Sequence, residues 1–225
     1  MAVKKIISAS RRTDIPAFYL PWFMECLHEG CFRVVNPYNN RTKVVSAGPD
    51  QVHSIVFWSK NFGPFITGEY GRRLAEMGYH LFFNFTINSA VPVLEPTVPP
   101  LENRFEQLSS LSKQWGARAV SWRFDPLIFF TSGDGNHQDN LADFQKIAAA
   151  AFDVGIERCI TSFMDFYPKI KKRVQKMDGF TFYDPPIEKK IDILYQMQET
   201  LAPFKIALQM CCEGDLLAKL PEDLS

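Results

Sequence analysis

The sequence predicts an α/β fold of the TIM-barrel type, incomplete at about seven βα units and carrying one inserted β-hairpin. Short runs of β-branched and aromatic residues alternate with longer amphipathic stretches, which is typical of βαβ units and a mostly parallel sheet. A chain of 225 residues, of which 46% are hydrophobic, is long enough for one domain of this class. A closed barrel needs eight units, about one more than the sequence predicts. The alternatives are an open twisted sheet and a chain that ends before its fold is complete.

Apolar runs of strand length predict the β-strands, and the amphipathic segments between them predict the helices. The expected strands are residues 5–9, 32–35, 44–46, 54–58, 80–87, 117–124, 158–163 and 205–210. The expected helices are residues 17–28, 65–77, 101–115, 139–154, 167–177, 186–201 and a short one after Gly214.

One connection differs from the βαβ pattern. The turn-rich residues from Asn36 to Arg41 join two of the strands, so residues 32–46 are expected to form the inserted hairpin. The proline-rich residues 89–100 and the residues 131–137, which contain two glycines, are expected to be loops. Neither loop is long enough to separate domains, so a single domain over residues 1–225 is expected.

Charge, hydropathy and cysteine usage exclude several classes of protein. The 25 basic and 25 acidic side chains cancel, which argues against a protein that coats nucleic acid or an anionic membrane. Trp58 and Trp122 could stack bases of a single strand, but the zero net charge counts against that function too. No apolar run approaches the roughly 20 residues of a membrane span, and five scattered cysteines do not resemble a secreted disulfide framework. A cytoplasmic protein with a small-molecule ligand is expected, and its oligomeric state is left open.

Polar side chains stand at the carboxyl ends of the predicted strands, where parallel α/β folds carry their active sites. Side chains alternate between the two faces of a strand. In the strand ending near residue 125, Arg123 and Asp125 therefore share one face, and Trp122 and Phe124 share the other. The same alternation places His80, Asn84 and Thr86 together, and likewise Gln209, Cys211 and Glu213. We expect the polar faces to line a cleft.

These positions supply the candidate site residues. The candidate acid–base groups are Asp14, Asp125 and Glu213. The candidate substrate-binding residues are Arg11, Arg12, Asn36, Trp58, Lys60, Asn61, Asn84, Arg123 and Asp165. The arginine fork matches carboxylate and phosphate oxygens, so a small anionic substrate is expected.

Several of the candidates also have a purely structural interpretation, but Arg11 and Arg12 do not, since an arginine pair beside a helix N-terminus suits a phosphate or carboxylate. Arg123 and Asp125 could form an internal ion pair, although such pairs are often neutral for stability and so need another reason to exist. Asp14 and Asp165 could cap the helices that follow them, and Lys60 could be solvated in a loop. The cysteines and histidines lack metal-ligand spacing, and adjacent Cys211 and Cys212 face opposite sides, so no metal site is predicted. Nucleotide-binding and hydrolase motifs such as GxGxxG, the P-loop and GxSxG are absent.

The stretch Ser8-Ala9-Ser10-Arg11-Arg12-Thr13-Asp14-Ile15-Pro16-Ala17-Phe18-Tyr19 resembles the opening signature of an uncharacterised bacterial family, domain of unknown function 1848. Further matching stretches, in order, are residues 35–39, 55–61, 120–126, 160–167 and 211–213. Longer members of that family resemble radical S-adenosylmethionine enzymes, especially the spore photoproduct lyase group, and carry a cysteine-rich tail suited to an iron–sulfur cluster. This sequence stops just after residues 211–213 without such a tail, so the resemblance does not imply a cluster with S-adenosylmethionine in this chain.

Two functions remain open from the residues and the resemblance together. The first is an enzyme with a polar cleft at the strand carboxyl ends, which binds a small phosphate- or carboxylate-bearing substrate. The second is a non-catalytic ligand-binding module, or a truncated relative of a radical S-adenosylmethionine enzyme. The sequence leaves open whether the chain is an enzyme, and it identifies neither a reaction nor a cofactor.

Overall fold

A computed structural model describes residues 4–10, 13–133 and 135–211, without the side chain of residue 169. The strands are β1 (Lys5–Ser8), β2 (Cys31–Val35), β3 (Thr42–Ser46), β4 (Val52–Ser59), β5 (His80–Thr86), β6 (Val120–Leu127), β7 (Phe129–Ser132), β8 (His137–Asp139), β9 (Arg158–Phe163), β10 (Phe180–Tyr183) and β11 (Ala207–Met210). The helices are α1 (Ile15–Phe18), α2 (Leu20–His28), α3 (Gly63–Thr67), α4 (Tyr70–Glu76), α5 (Leu101–Trp115), α6 (Phe144–Asp153), α7 (Pro168–Val174) and α8 (Ile187–Leu201). Short 3₁₀ helices cover Ala117–Ala119 and Ala202–Phe204.

The predicted mixed α/β class is confirmed. Six strands form a parallel sheet in the order β1-β4-β5-β6-β9-β11, with helices in the intervening connections. Within the described residues β1 and β11 are the outer strands of this sheet, and no closed barrel is found there. None of the helices in the described parts of the chain is long and apolar enough to cross a membrane.

The chain folds into two compact units. Unit 1 comprises the described part of Met1–Phe85 together with Glu106–Val120. Unit 2 comprises Thr86–Phe105 and the described part of Ser121–Ser225. The expectation of a single domain stays a prediction.

In unit 1, β1, β4 and β5 are parallel, and β4 and β5 bury one face against helices. Ile55 and Phe57 of β4 are fully buried, and Phe57 packs edge-on against Phe23 of α2 and Phe65 of α3. The predicted hairpin is confirmed, since β2 and β3 pair antiparallel with Cys31 opposite Ser46. This apolar layer fixes which side chains of β4 and β5 are left on the opposite face.

Two predicted helices of unit 1 are each divided in the structure. The segment 17–28 was expected to be one helix, but α1 ends at Phe18 and α2 begins at Leu20. Pro21 lies in the first turn of α2, where a missing N–H costs no helical hydrogen bond. The segment 65–77 is divided because α3 ends at Thr67 and α4 begins at Tyr70, after Glu69, whose φ of 52° is left-handed and breaks the helix.

In unit 2, β6, β9 and β11 lie parallel over a core of aromatic side chains. Trp122 and Phe124 of β6 are fully buried against Phe144 of α6. The indole N–H of Trp122 donates to the Ile87 carbonyl at 3.0 Å, so the ring has both an apolar contact and a polar partner.

Unit 2 also contains a three-stranded antiparallel sheet, in the order β10-β7-β8, that the sequence reasoning missed. The expectation of a loop over residues 131–137 is wrong at both ends, because β7 extends to Ser132 and β8 begins at His137. Phe130 of β7 lies opposite Phe182 of β10, which is far along the chain. Strands of three and four residues give little periodic signal, and one partner of β7, the strand β10, is distant in the sequence.

Candidate functional site

The predicted site residues that the structure describes fall mainly into two clusters, one in each unit. Both clusters lie at the carboxyl ends of parallel strands, at the end of β6 in unit 2 and around the ends of β1 and β4 in unit 1. Each unit therefore has its own set of candidate groups.

The unit 2 cluster is centred on the ion pair between Arg123 and Asp125. The Arg123 Nη2 lies 2.9 Å from Asp125 Oδ2, and the two side chains are 6% and 24% exposed. The second carboxylate oxygen, Oδ1, accepts a hydrogen bond from the hydroxyl of Ser162 on β9. Asp125 is therefore held through both oxygens and still has an edge open to solvent.

Arg123 also contacts the end of β11. Its side chain hydrogen bonds to Cys211, whose backbone N–H donates to the Thr161 carbonyl at 2.9 Å. Burial lowers the pKa of Arg123, but the charge of Asp125 and the hydrogen bonds to Asp125 and Cys211 outweigh burial and raise it overall. The guanidinium is therefore a permanent buried cation where three parallel strands end.

Two buried asparagines hold the backbone that carries Asp125. Asn88 accepts from the Asp125 N–H at 2.9 Å and donates to the Asp125 carbonyl at 3.2 Å. Asn140 donates to the Pro126 carbonyl and accepts from the Ile128 N–H, both at 2.9 Å. Both asparagines are almost fully buried, so they hold this segment from the interior of unit 2.

A buried ionic group supports Asn88 in turn. Asn88 donates to Glu95 Oε1 at 2.9 Å, and Arg104 Nη1 donates to the Asn88 carbonyl at 3.1 Å. Arg104 is 2% exposed, and burial lowers its pKa despite the charge of Glu95. The Glu95 Oε2 and Arg104 Nη1 atoms are 3.9 Å apart. Asp125 therefore stands on a polar network that extends into the interior of unit 2.

The unit 1 cluster is centred on Asp14. Its Oδ1 accepts from the Ala17 N–H at 3.1 Å and caps α1, which is the structural role considered from the sequence. Its Oδ2 accepts from the Ser59 hydroxyl at 2.9 Å and from the Lys60 N–H at 3.2 Å. Burial raises the pKa of Asp14, although these hydrogen bonds and the charge of Lys60 lower it in part. One carboxylate thus joins the first helix to the end of β4.

Asn61, expected to contact substrate, has its oxygen engaged in local structure. Asn61 Oδ1 accepts from the Gly63 N–H at 2.9 Å and from Gln107 Nε2 at 3.0 Å. Gln107 also accepts from the Phe62 N–H at 2.7 Å. These bonds fix the first turn of α3, so the observed contacts of Asn61 are those of a turn residue.

Trp58 and Asn84 lie side by side on the face of β4 and β5 opposite the apolar layer. They occupy partner positions in the parallel register, and each is half-buried. Phe82, two residues before Asn84, is 43% exposed on the same face. The predicted alternation in β5 is confirmed, because Leu81, Phe83 and Phe85 are the buried side chains.

The remaining predicted residues lie elsewhere. Asn36 is exposed in the hairpin turn, where its oxygen accepts from the Tyr38 N–H at 2.9 Å. Asp165 is exposed after β9 and does not cap α7, whose N-cap is Tyr167. Arg11, Arg12, Cys212 and Glu213, and the predicted helix after Gly214, lie outside the described residues.

Sequence reasoning missed Ser162, Asn88 and Asn140 as members of the unit 2 cluster. Ser162 lies on β9, beside the end of β6. The register between these two strands shifts after Phe124, and no sequence pattern reveals that shift. Asn88 and Asn140 lie outside the strands, where side chains do not alternate between two faces. A buried amide that both donates to and accepts from the backbone therefore gives no periodic signal in the sequence.

The His, Cys, Asp and Glu side chains are the potential metal ligands of the chain. Within residues 4–10, 13–133 and 135–211, no group of three or more of them is placed to hold a metal ion. The described cysteines are Cys26, Cys31, Cys159 and Cys211, each a free thiol, and only Cys159 among these four is fully buried. Burial raises the pKa of the Cys159 thiol.

Similarity to known proteins is found at the level of a family. The model of a family described as a domain of unknown function, DUF1848, matches residues 6–223. No curated protein matches the chain.

Proposed function

Because the chain belongs to the DUF1848 family, whose description is that of a domain of unknown function, we propose its function from the site itself: it binds a small polar molecule that carries a carboxylate or phosphate. The ligand lies at the carboxyl ends of the parallel strands, and the reaction class is left open. The barrel-like interpretation of the sheet and a cytoplasmic location are parts of the same proposal. The described side chains bring no three cysteines together, so they do not fit an iron–sulfur cluster.

The observation that carries this proposal is the buried guanidinium of Arg123 beside a partly open carboxylate. Replacement of a buried ion pair by apolar groups is often neutral or stabilising, so stability alone does not explain this pair. Arg123 is buried beside Asp125, and Asp125 reaches solvent with 24% of its side chain exposed. A carboxylate or phosphate oxygen that reaches Arg123 at this edge meets a rigid cation that is already desolvated, which strengthens charge-assisted hydrogen bonds.

The residues of the unit 2 cluster take distinct roles in this proposal. Arg123 holds the anionic group, Asp125 accepts a proton or hydrogen bond from the ligand, and Ser162 orients Asp125 through its hydroxyl.

Unit 1 supplies the second set of candidate groups. Asp14 is the second candidate acid–base group, since burial raises its pKa toward neutrality. Lys60, Asn84 and Trp58 are proposed as contacts of a ligand on the open face of β4 and β5, where Trp58 offers a flat apolar surface.

The experiment is calorimetric titration of the full chain with inorganic phosphate and with citrate. Arg123→Lys keeps the charge but loses the planar fork, so it is expected to weaken binding about tenfold or more. Arg173→Lys, an exposed position on α7, is the matched control and is expected to leave affinity unchanged. Circular dichroism of each variant confirms that the fold persists.

Two results would overturn the proposal. One is the absence of saturable binding of either anion to the wild-type chain. The other is unchanged affinity in a folded Arg123→Lys variant. Asp125→Asn separates binding from catalysis, since it is expected to retain phosphate while losing any turnover that is found.

A further inference from the structure

Unit 1 contains a cavity that the proposed function does not use. Its volume is about 580 Å³, and it is lined by residues of β1, α2 and the β2–β3 hairpin and by Ala9, Ser10, Thr13 and Ile15. That volume is in the range of small-molecule pockets, roughly 300 to 1,000 Å³. The walls are mainly apolar and include Trp22, Phe23 and Phe32.

Several apolar side chains of this cavity are open to solvent. Ile6 is 67% exposed, Trp22 46% and Val35 48%. An exposed tryptophan beside exposed aliphatic side chains is a surface that gains free energy when an apolar group covers it. The walls therefore favour an occupant with an alkyl or aryl body.

The charged side chains of the lining indicate the other end of the occupant. Lys5 and Arg33 line the cavity, both are exposed, and the lining residues in the described part of the chain include no carboxylate. Ser8, Ser10 and Thr13 add hydroxyl groups at the carboxyl end of β1. Two cationic side chains on an otherwise apolar wall match the oxyanion of an otherwise apolar molecule.

We propose that this cavity binds an amphiphilic monoanion, with its apolar body against Trp22 and Phe32 and its carboxylate or related oxyanion at Lys5 and Arg33. This site is independent of the Arg123 cluster, because the two share no residue. It assigns a second ligand class to the chain, distinct from the small polar anion proposed above.

The test uses decanoate and its neutral analogue 1-decanol, titrated into the full chain while tryptophan fluorescence is recorded. Saturable binding of decanoate is expected, and Trp22→Phe is expected to remove most of the signal but not the binding, which calorimetry follows separately. Reversal of both charges, in the variant Lys5→Glu with Arg33→Glu, is expected to weaken decanoate binding about tenfold and decanol binding less than about twofold. Lys43→Glu, exposed on the same hairpin and outside the cavity lining, is the matched control.

Three outcomes would overturn the proposal. The first is no saturable binding of decanoate. The second is equal affinity for decanoate in the folded double variant and in the Lys43→Glu control. The third is self-association that Ile6→Lys reverses while decanoate fails to bind, which would assign the surface to a second copy of the chain. Failure here leaves the phosphate and citrate titrations of the Arg123 variants untouched, so the two proposals are judged separately.

Discussion

Replacement of Asn88 by alanine is expected to destabilise the fold by about 3 kcal/mol. Asn88 is 2% exposed and makes three side-chain hydrogen bonds, two to the backbone of Asp125 and one to Glu95. A hydrogen bond contributes about 1 kcal/mol net, and the loss of one partner leaves the other buried and unsatisfied. The bond from Arg104 goes to the Asn88 backbone and survives the substitution.

Urea denaturation followed by circular dichroism measures this loss. For a chain of this length about 3 kcal/mol corresponds to a fall in melting temperature of roughly 6–12 °C. Asn39→Ala is the control, because Asn39 is exposed and its oxygen accepts a single bond from the Arg41 N–H. That variant is expected to change stability by less than about 0.5 kcal/mol.

A second variant tests the geometry of the same site. Asn88→Asp keeps an oxygen for the Asp125 N–H but loses the donor to the Asp125 carbonyl and adds a charge near Glu95. It is expected to be no more stable than Asn88→Ala, because a buried carboxylate must also be desolvated. A loss below about 1 kcal/mol for Asn88→Ala would refute the conclusion that this amide holds the Asp125 backbone.

Three further predictions concern stability and reactivity. Burial raises the pKa of Asp14 above its usual 3.8. The free energy of unfolding of the wild type, relative to that of Asp14→Asn, should therefore be largest below pH 3.8 and should fall as the pH rises through the raised pKa. Urea titrations of both proteins from about pH 3 to pH 7 measure it, and an advantage that grows with pH would contradict it. Cys159 is fully buried, so Cys159→Ser should leave the count of rapidly reacting thiols in the native protein unchanged while lowering the count in denaturant by one. Trp122 is fully buried between aromatic neighbours, and Trp122→Ala should cost about 3–5 kcal/mol in the same urea assay, with a cost below about 2 kcal/mol contradicting the packing.

The alternation of faces along single strands was predictable from the sequence. In β6, Trp122 and Phe124 are fully buried against α6, and Arg123 and Asp125 share the other face, as expected. Residues two apart on a strand lie on one side of the sheet whatever the tertiary context, so a pair at that spacing was foreseeable. The ion pair at 2.9 Å follows directly from that local rule.

Partners from other segments were not predictable. Ser162 reaches Asp125 only because β9 pairs with β6, and that register shifts after Phe124. The antiparallel sheet of β7, β8 and β10 was missed for the same reason, since β10 lies far along the chain from the other two strands. Pairing between distant segments depends on packing and register, which short runs of residues do not encode by themselves.

The two candidate carboxylates differ in how firmly their partners hold them. Asp14 accepts from the Ser59 hydroxyl and also from the backbone N–H groups of Ala17 and Lys60, and these two N–H groups are fixed by α1 and by the end of β4. Asp125 accepts from the hydroxyl of Ser162, which can rotate toward another acceptor, and from the Arg123 guanidinium. A ligand that offers Ser162 an alternative acceptor can therefore free one oxygen of Asp125 without disturbing a helix. Asp125 is for this reason the better placed of the two to contact a ligand directly, while a change at Asp14 to a residue without a side-chain acceptor also removes the cap of α1.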